Sequence, residues 1–207
     1  IIKSSPLIKS NLQKAIRIGD TEKALLSAYN LIITNFMEFI RRIIIISIED
    51  VSFLDNTPFL VWCMLSCTNF EINNEMIQYL LTTVYQLSVS KKWLNRNKID
   101  IMPQYDINDI LKFSLLIRSE YGGLKGDMKM INYFCSNDIT NKMIIKVPRK
   151  KLTVNRLLHK RDILMQSIDF HISAKLIPYI SENTPIKDPE IIKKLIWFNN
   201  SAYNVRK

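Results

Sequence analysis

The lysines and arginines between positions 142 and 161 are the residues of this chain best suited to bind a ligand. The segment holds eight of them and no acidic residue before Asp162. They are Lys142, Lys146, Arg149, Lys150, Lys151, Arg156, Lys160 and Arg161. Such cations bind the phosphates of a nucleic acid by releasing counterions, and arginine adds bidentate contacts. We predict backbone binding that weakens with salt; the alternative is a solvated loop whose charge keeps the protein soluble.

The charge of the whole chain supports an anionic partner for its second half. Residues 1–90 contain 7 Lys/Arg and 8 Asp/Glu, a net charge of −1. Residues 91–207 contain 22 and 11, a net charge of +11, so the formal charge of +10 comes from this half. An asymmetry of this kind is typical of proteins that bind nucleic acid or another polyanion.

Residues that could hold a cofactor or a metal do not form a recognisable set. The glycines at positions 122, 123 and 126, with Lys125 and Asp127, lack the spacing of a phosphate-binding loop and predict a turn that breaks a helix. Cys63 and Cys67 lie one helical turn apart in an apolar run, where buried thiols are ordinary. His171 follows Asp169, but neither it nor His159 has the further ligands that zinc requires. We expect no cofactor and no metal.

The sequence supports a catalytic site no better than it supports a cofactor or metal site. Acidic residues in the second half could assemble a magnesium-dependent nuclease site, but their spacing singles out no cluster. They are Asp162, Asp169, Glu182, Asp188 and Glu190. We expect no catalytic residues, and a nuclease stays as an alternative.

The elements that must position these residues begin with a helical hairpin. Leu12, Ala15 and Ile16 have helical spacing, and Gly19 is suited to end that helix in the left-handed conformation. Asp20 or Thr21 can cap the next helix. The short connection predicts two antiparallel helices packed side by side.

The isoleucine run 43–46 would be assigned to a strand from its β-branching alone. Arg42 and Glu49 stand seven residues apart, which favours a buried helix from about Phe36 to Ile48. The tryptophans at positions 62, 93 and 197 are expected to pack in cores, because each has apolar neighbours or ends a helix.

Further helices are predicted from capping and proline signals. They start at Asn56 (through Cys67), Asn73 (to about Lys92), Asp106 with Asp109, Met128 (to Phe134), Thr153, and Asp188 (through Phe198). The predicted fold is all-α, a helical bundle or orthogonal helices. Residues 91–104 read as a linker, which divides the chain into a helical module at 1–95 and a basic helical domain at 96–207.

Residues 10 to about 92 resemble a known family. The sequence Ser-Asn-Leu-Gln-Lys-Ala-Ile-Arg-Ile-Gly-Asp from Ser10, the later Arg-Arg and Glu-Asp-Val, and the stretch 85–92 are similar to the helical C-terminal region of AAA+ ATPases of the RarA/MgsA/Werner-helicase-interacting-protein type, relatives of clamp-loader subunits. The matching positions are Gln13, Lys14, Arg17, Asp20, Ala24, Leu25, Arg41, Arg42, Glu49 and Asp50.

The resemblance implies a module that assembles subunits, and hence a homo-oligomer. Arg41, Arg42, Glu49 and Asp50 are expected to form an inter-helix salt-bridge network or an oligomer contact. The chain lacks a Gly-x-x-x-x-Gly-Lys-Ser/Thr sequence, so we expect no ATP hydrolysis from it. An ATPase or other replication protein on another polypeptide is an expected partner.

These observations predict a non-catalytic, oligomerising accessory factor of DNA replication, repair or recombination. A structural or scaffold protein of a virion or nucleoid is the leading alternative. The odd, sparse set of three cysteines predicts a reducing intracellular compartment. Isoleucine, asparagine and lysine, whose codons are rich in A and T, are abundant in this chain. Their abundance suggests an A/T-rich genome, such as that of a large DNA virus, a parasite or an A/T-rich bacterium. The run 39–51 is too short and too charged to span a membrane.

Overall fold

A computed structural model of the chain describes residues 4–66, 69–92, 109–136, 144–164, 167, 171–173, 176–199 and 202–204. The described part is mostly helical, which confirms the all-α prediction. Its helices are α1 (Ser5–Ile18), α2 (Thr21–Thr34), α3 (Phe36–Ile46), α4 (Thr57–Ser66), α5 (Asn74–Val89), α6 (Asp109–Glu120), α7 (Lys125–Ser136), α8 (Leu176–Asn183) and α9 (Pro189–Asn199).

Short strands accompany the helices. Strand β1 (Phe53–Leu54) pairs in parallel with β2 (Ile144–Ile145), with Phe53 opposite Ile144. Strand β3 (His171–Ser173) pairs in parallel with β4 (Ala202–Asn204). The first pair matters for the site, because it fixes the start of the basic segment against the N-terminal helices.

The predicted hairpin of α1 and α2 is confirmed. Gly19 ends α1 with a φ of +78°, a left-handed conformation that suits glycine. The backbone N–H of Asp20 then donates to the carbonyl of Ala15 at 2.9 Å. The Asp20 carboxylate caps α2 by accepting from the backbone N–H of Lys23 at 3.1 Å.

The isoleucine run lies in helix α3, as predicted, and not in a strand. All four isoleucines at 43–46 are buried, because α3 packs against α1, α2 and α4. Helix α3 is still amphipathic, because Glu38, Arg41 and Arg42 lie on a side of it that is only partly buried. The chain continues from α3 into a π-helical turn, Ser47–Val51, which carries Glu49 and Asp50.

Other helix ends agree with their sequence signals. Asn73 caps α5 through its side chain, which accepts from the N–H of Met76 at 2.9 Å. Gly122 and Gly123, with φ of +88° and +156°, form the break between α6 and α7. Asp188 accepts from the backbone N–H of Glu190 at the start of α9.

One predicted helix is absent. Residues 146–159 form no helix, although the sequence predicts one from Thr153, and a 3₁₀ turn follows at Lys160–Asp162. The N–H of His159, which such a helix would bond to the carbonyl of Asn155, donates instead to the Asp162 carboxylate. Helix α4 begins after Asn56 as predicted, but the Asn56 side chain donates to Thr83 Oγ1 at 2.8 Å.

The hydrophobic core draws on both predicted units. Side chains of α1–α5 form most of it, and Leu111, Ile131, Val147 and Leu158 belong to the same buried cluster. The predicted boundary after residue 95 lies outside the described residues. Among the helices that are described, none is long and apolar enough to cross a membrane.

Candidate nucleic-acid interface

The basic segment, defined here as residues 146–161, lies along the N-terminal helices as an irregular chain. The N–H of Val147 donates to the Asp55 carboxylate at 3.0 Å, directly after the β1–β2 pair. The hydroxyl of Thr82 on α5 donates to the backbone carbonyl of Lys150, at 2.9 Å. Leu158 is fully buried in the core. Backbone bonds and apolar side chains thus anchor the segment and leave most of its cationic side chains unused.

Most of the predicted phosphate-binding residues point to solvent. The exposed ones are Lys146, Arg149, Lys150, Lys151, Lys160 and Arg161. Lys142 lies outside the described residues. The ammonium group of Lys150 stands 5.8 Å from the centre of the Tyr85 ring, within the range of a cation–π contact.

Arg156 differs from these exposed cations because it is bound within the molecule. Its guanidinium donates to both oxygens of Asp162, at 2.6 and 2.9 Å, and to Glu22 on α2 at 2.9 Å. The Asp162 carboxylate also accepts from the N–H of His159 at 2.8 Å. The hydrogen bond with Arg156 is the main cause that lowers the pKa of Asp162 to about 2. Arg156 therefore holds the end of the basic segment against α2.

Asn11 of α1 holds the chain that follows this turn. Its amide group donates to the carbonyl of Asp162 at 3.1 Å and to the hydroxyl of Ser27 at 2.8 Å. Its carbonyl oxygen accepts from the N–H of Leu164 and from the hydroxyl of Ser167, both at 2.8 Å. A fully buried asparagine with these partners holds Asp162, Leu164 and Ser167 in place against the hairpin.

An aromatic row lies on the surface beside the basic segment. We define the row as Phe59 and Trp62 of α4 together with Phe70. The ring of Trp62 is near-parallel to both phenyl rings, at 5.3 Å from Phe70 and 6.3 Å from Phe59. The prediction that Trp62 packs in a core is wrong, because 51% of this residue is exposed.

Sequence reasoning missed the aromatic row because α4 is apolar on every face. Its buried side, which includes Leu60, Cys63 and Met64, contacts the core. Phe59 and Trp62 are three residues apart and share the opposite side. Two aromatic residues on the side away from the buried positions were the signal that could have revealed the row.

A cavity of about 470 Å³ joins the aromatic row to the basic segment. It is lined by Phe59, Glu75, Gln78, Tyr79, Arg149, Lys150 and Lys151. The rings of Phe59 and Tyr79 meet edge to face, with 5.4 Å between their centres. Burial raises the pKa of the Tyr79 hydroxyl, so this group stays a neutral hydrogen-bond donor at neutral pH. The cavity thus combines three cations, one carboxylate and a neutral phenol with an apolar wall.

The charged residues of the family-like motif form a different site, a buried polar network between α1 and the π-helical turn. Arg17 donates to Asp50 from Nη2 at 2.9 Å, and both side chains are buried. Gln13 donates to Glu49 at 2.9 Å and to Asp50 at 3.0 Å, and it accepts from Arg42. The sequence predicted an inter-helix salt-bridge network or an oligomer contact for Arg41, Arg42, Glu49 and Asp50; in the structure Asp50 pairs with Arg17 of α1, and Arg42 contacts Gln13.

The network continues to α7 and to the turn after α6. Arg42 pairs with Asp127 at 3.3 Å. Arg41 stands outside the ion pairs of the network, with its guanidinium 5.4 Å from the centre of the Tyr121 ring. Its carbonyl oxygen accepts from Arg118 at 3.1 Å. These contacts connect α3 with helices from the second half of the chain.

Burial dominates the titration of this network. It raises the pKa of the Asp50 carboxyl to about 6, against the opposing effect of Arg17. It lowers the pKa of Lys14 to about 7, and the neighbouring Arg17 adds to that shift. Both residues are enclosed by protein, so they are placed to hold helices together and not to meet a ligand.

Lys92, at the end of the second family-like stretch, caps α5. Its ammonium group donates to the carbonyls of Leu87, Ser88 and Ser90 at 2.5 to 2.9 Å. Burial lowers its pKa to about 8. Lysine favours the negative end of the helix dipole, so this residue has a structural role here.

Metal-binding and thiol chemistry have little support in the part of the chain that the structure describes. Within those ranges, no three His, Cys, Asp or Glu side chains are grouped to hold a metal ion. Cys63 and Cys135 are buried, and Cys67 lies outside the described residues. Burial raises the pKa of Cys135, which keeps that thiol protonated.

Comparison with known proteins found no match to this chain among protein-family models, curated proteins or solved structures. The similarity to the RarA/MgsA-type helical region therefore stays a prediction.

Proposed function

We propose that this protein is a non-catalytic, nucleic-acid-associated accessory factor that binds the phosphate backbone through the basic segment. The observation that carries the proposal is the combination of an anchored backbone and outward cations. Asp55, Thr82 and the buried Leu158 hold the segment, while Arg149, Lys150 and Lys151 remain exposed. A preorganised row of cations loses less conformational entropy on binding than a flexible tail does.

A role in DNA replication, repair or recombination is the part of the proposal that rests on the sequence resemblance. The matching residues Gln13, Arg17 and Asp50 join helices within the chain, and the sequence resemblance implies a module that assembles subunits. Self-association is proposed on the same ground. Light scattering over a concentration series should give a mass above that of a monomer, and a strict monomer would count against the family assignment.

The test of nucleic-acid binding is a charge reversal with a matched control. One variant replaces Arg149, Lys150 and Lys151 by Glu. The control replaces Lys125, Lys129 and Lys187 by Glu, which makes the same change in net charge at exposed sites elsewhere. Fluorescence anisotropy with labelled DNA over a range of salt concentrations measures both affinity and its salt dependence.

We expect the first variant to lose DNA retention at moderate salt, while the control keeps most of its affinity. The slope of log affinity against log salt should fall in magnitude by about 2 to 3, since each phosphate contact contributes roughly 0.7 to 0.9. Equal losses in both variants would mean that net charge alone attracts DNA. No loss in either would favour the solvated-loop interpretation and a scaffold role.

A further inference from the structure

We propose that the aromatic row and the adjacent cations form a binding site for single-stranded nucleic acid, in which bases stack on the row and phosphates lie along Arg149–Lys151. This inference rests on the proposed function and names the form of nucleic acid that the site takes. Three kinds of observation support it: ring geometry, exposure and the position of the charges.

The geometry of the row suits stacking. The Trp62 ring makes angles of 17° and 22° with the rings of Phe70 and Phe59. Ring centres 5.3 and 6.3 Å apart are farther apart than those of directly overlaid rings, so the phenyl rings are offset and leave part of the Trp62 ring uncovered for a base. Phe70 is fixed in turn by an edge-to-face contact with Phe36, at 6.1 Å between ring centres. The row is therefore supported from the helical core beneath it.

Exposure distinguishes the row from ordinary core packing. About half of Trp62 is exposed, although burial of such a large ring would stabilise the fold. Tryptophan at the surface beside cations is typical of sites that bind bases, because every base presents a π face to an aromatic side chain.

The position of the charges favours a single strand over a duplex. Phe59 belongs both to the aromatic row and to the lining of the cavity, which Arg149, Lys150 and Lys151 also line. A single strand has phosphates on one side and free base faces on the other, so it matches this pairing of surfaces. A duplex stacks its bases internally and would use only the cations. Glu75, which also lines the cavity, would repel phosphates and thereby keep them on the cationic wall.

The experiment separates base stacking from phosphate binding by means of three probes. These are a labelled oligothymidylate, an abasic oligonucleotide with the same number of phosphates, and a duplex of equal length. Each is titrated against wild-type protein and against Trp62→Ala, Trp62→Phe and Leu65→Ala. Leu65 is also half exposed on α4 and lies outside the aromatic row, so it is a matched control.

We expect Trp62→Ala to weaken oligothymidylate binding by about tenfold, in the range measured for loss of one stacked base. Trp62→Phe should retain most of the affinity, because it keeps an aromatic ring. Binding of the abasic and duplex probes should be unchanged in both variants, as should all binding by Leu65→Ala. Tryptophan fluorescence should be quenched by oligothymidylate in the wild type, and this quenching should be smaller in Trp62→Phe.

Two results would overturn the proposal. One is an unchanged oligothymidylate affinity in Trp62→Ala with circular dichroism like that of the wild type. The other is an equal loss for all three probes, which would indicate that the variant disturbs the cationic wall. Substitution of Arg149, Lys150 and Lys151 by Glu, measured in parallel, tests the proposed function by itself. If that variant weakens every probe while Trp62→Ala weakens none, phosphate binding stands and base stacking fails.

Discussion

The buried polar network and the basic segment use charged residues in opposite ways. In the network, Arg17 and Asp50 are enclosed by α1 and the π-helical turn, and each charge meets a partner. In the basic segment, cations such as Lys146 and Lys160 stand at the surface of a chain that is anchored through its backbone. Cationic side chains without nearby carboxylates stay in water, because burial would leave their charge without a partner. Charged side chains of opposite sign can be buried together, because they pair with each other.

The same contrast holds for two aspartates. Asp50 is enclosed by protein, and burial raises its pKa to about 6 in spite of Arg17. Asp162 is also buried but meets the partly exposed Arg156, and the hydrogen bonds lower its pKa to about 2. Loss of solvation dominates at the first site and hydrogen bonding at the second. Stability should therefore respond differently to changes at these two carboxylates.

The largest effect is expected from Asp50→Ala. This variant leaves Arg17 and Lys14 buried without the carboxylate, and breaking a buried ion pair in this way costs about 3 to 5 kcal/mol of unfolding free energy. Urea denaturation measures the loss. Glu38→Ala is the control, because its ion pair with Lys9 is partly exposed, and it should cost less than about 1 kcal/mol. Equal costs in the two variants would contradict the contrast between buried and surface charges.

A smaller loss, roughly 2 kcal/mol, is expected from Asp162→Asn, which removes charged hydrogen bonds to Arg156. The pH dependence has a definite sign. Because the folded-state pKa is below the ordinary value of 3.8, this contribution is present above about pH 4 and is lost as the pH falls towards 2. The free energy of unfolding, measured for both proteins between pH 5 and 2.5, should therefore fall less steeply in Asp162→Asn than in the wild type.

Glu182→Gln is the control for that experiment, since Glu182 is exposed on α8. It should leave both the stability and its acid dependence close to those of the wild type. An Asp162→Asn variant with the wild-type pH profile would show that the carboxylate does not hold the end of the basic segment.

The smallest effect is expected from Lys146→Glu and Lys160→Glu. Both side chains are exposed, so each substitution should change the free energy of unfolding by less than about 0.5 kcal/mol. Thermal unfolding at moderate salt measures this. A loss above about 1 kcal/mol would mean that these cations stabilise the fold, and it would weaken the view that they are available to a ligand.

Local signals in the sequence predicted much of the helical framework. Gly19 and Asp20 mark the hairpin because a left-handed residue and a cap act within a few positions of the chain. Asn73 and Asp188 predict helix starts for the same reason. The predicted helix at Thr153 does not form, and the groups that hold this stretch, such as Glu22, which accepts from Arg156, are distant in sequence.

The candidate site was only half predictable. The cations from Lys146 to Arg161 are visible as a run in the sequence, and the structure leaves most of them exposed. The aromatic row was missed because Trp62 lies in a helix that is apolar on every side, so periodicity cannot tell which side faces the core. The pairing of Arg156 with Glu22 was equally hidden, since 134 residues separate them.

The sequence by itself determined where the main helices begin and end and which half of the chain is basic. These properties depend on residue type and on neighbours within a few positions. Only the tertiary structure decided that the charges of α1 turn inward to Asp50, that the basic segment stays irregular, and that Phe59, stacked on Trp62, lines a cavity with Arg149, Lys150 and Lys151. Those outcomes depend on which distant groups can satisfy a buried charge, a backbone N–H or a carbonyl, and such partners are brought together only when the chain folds.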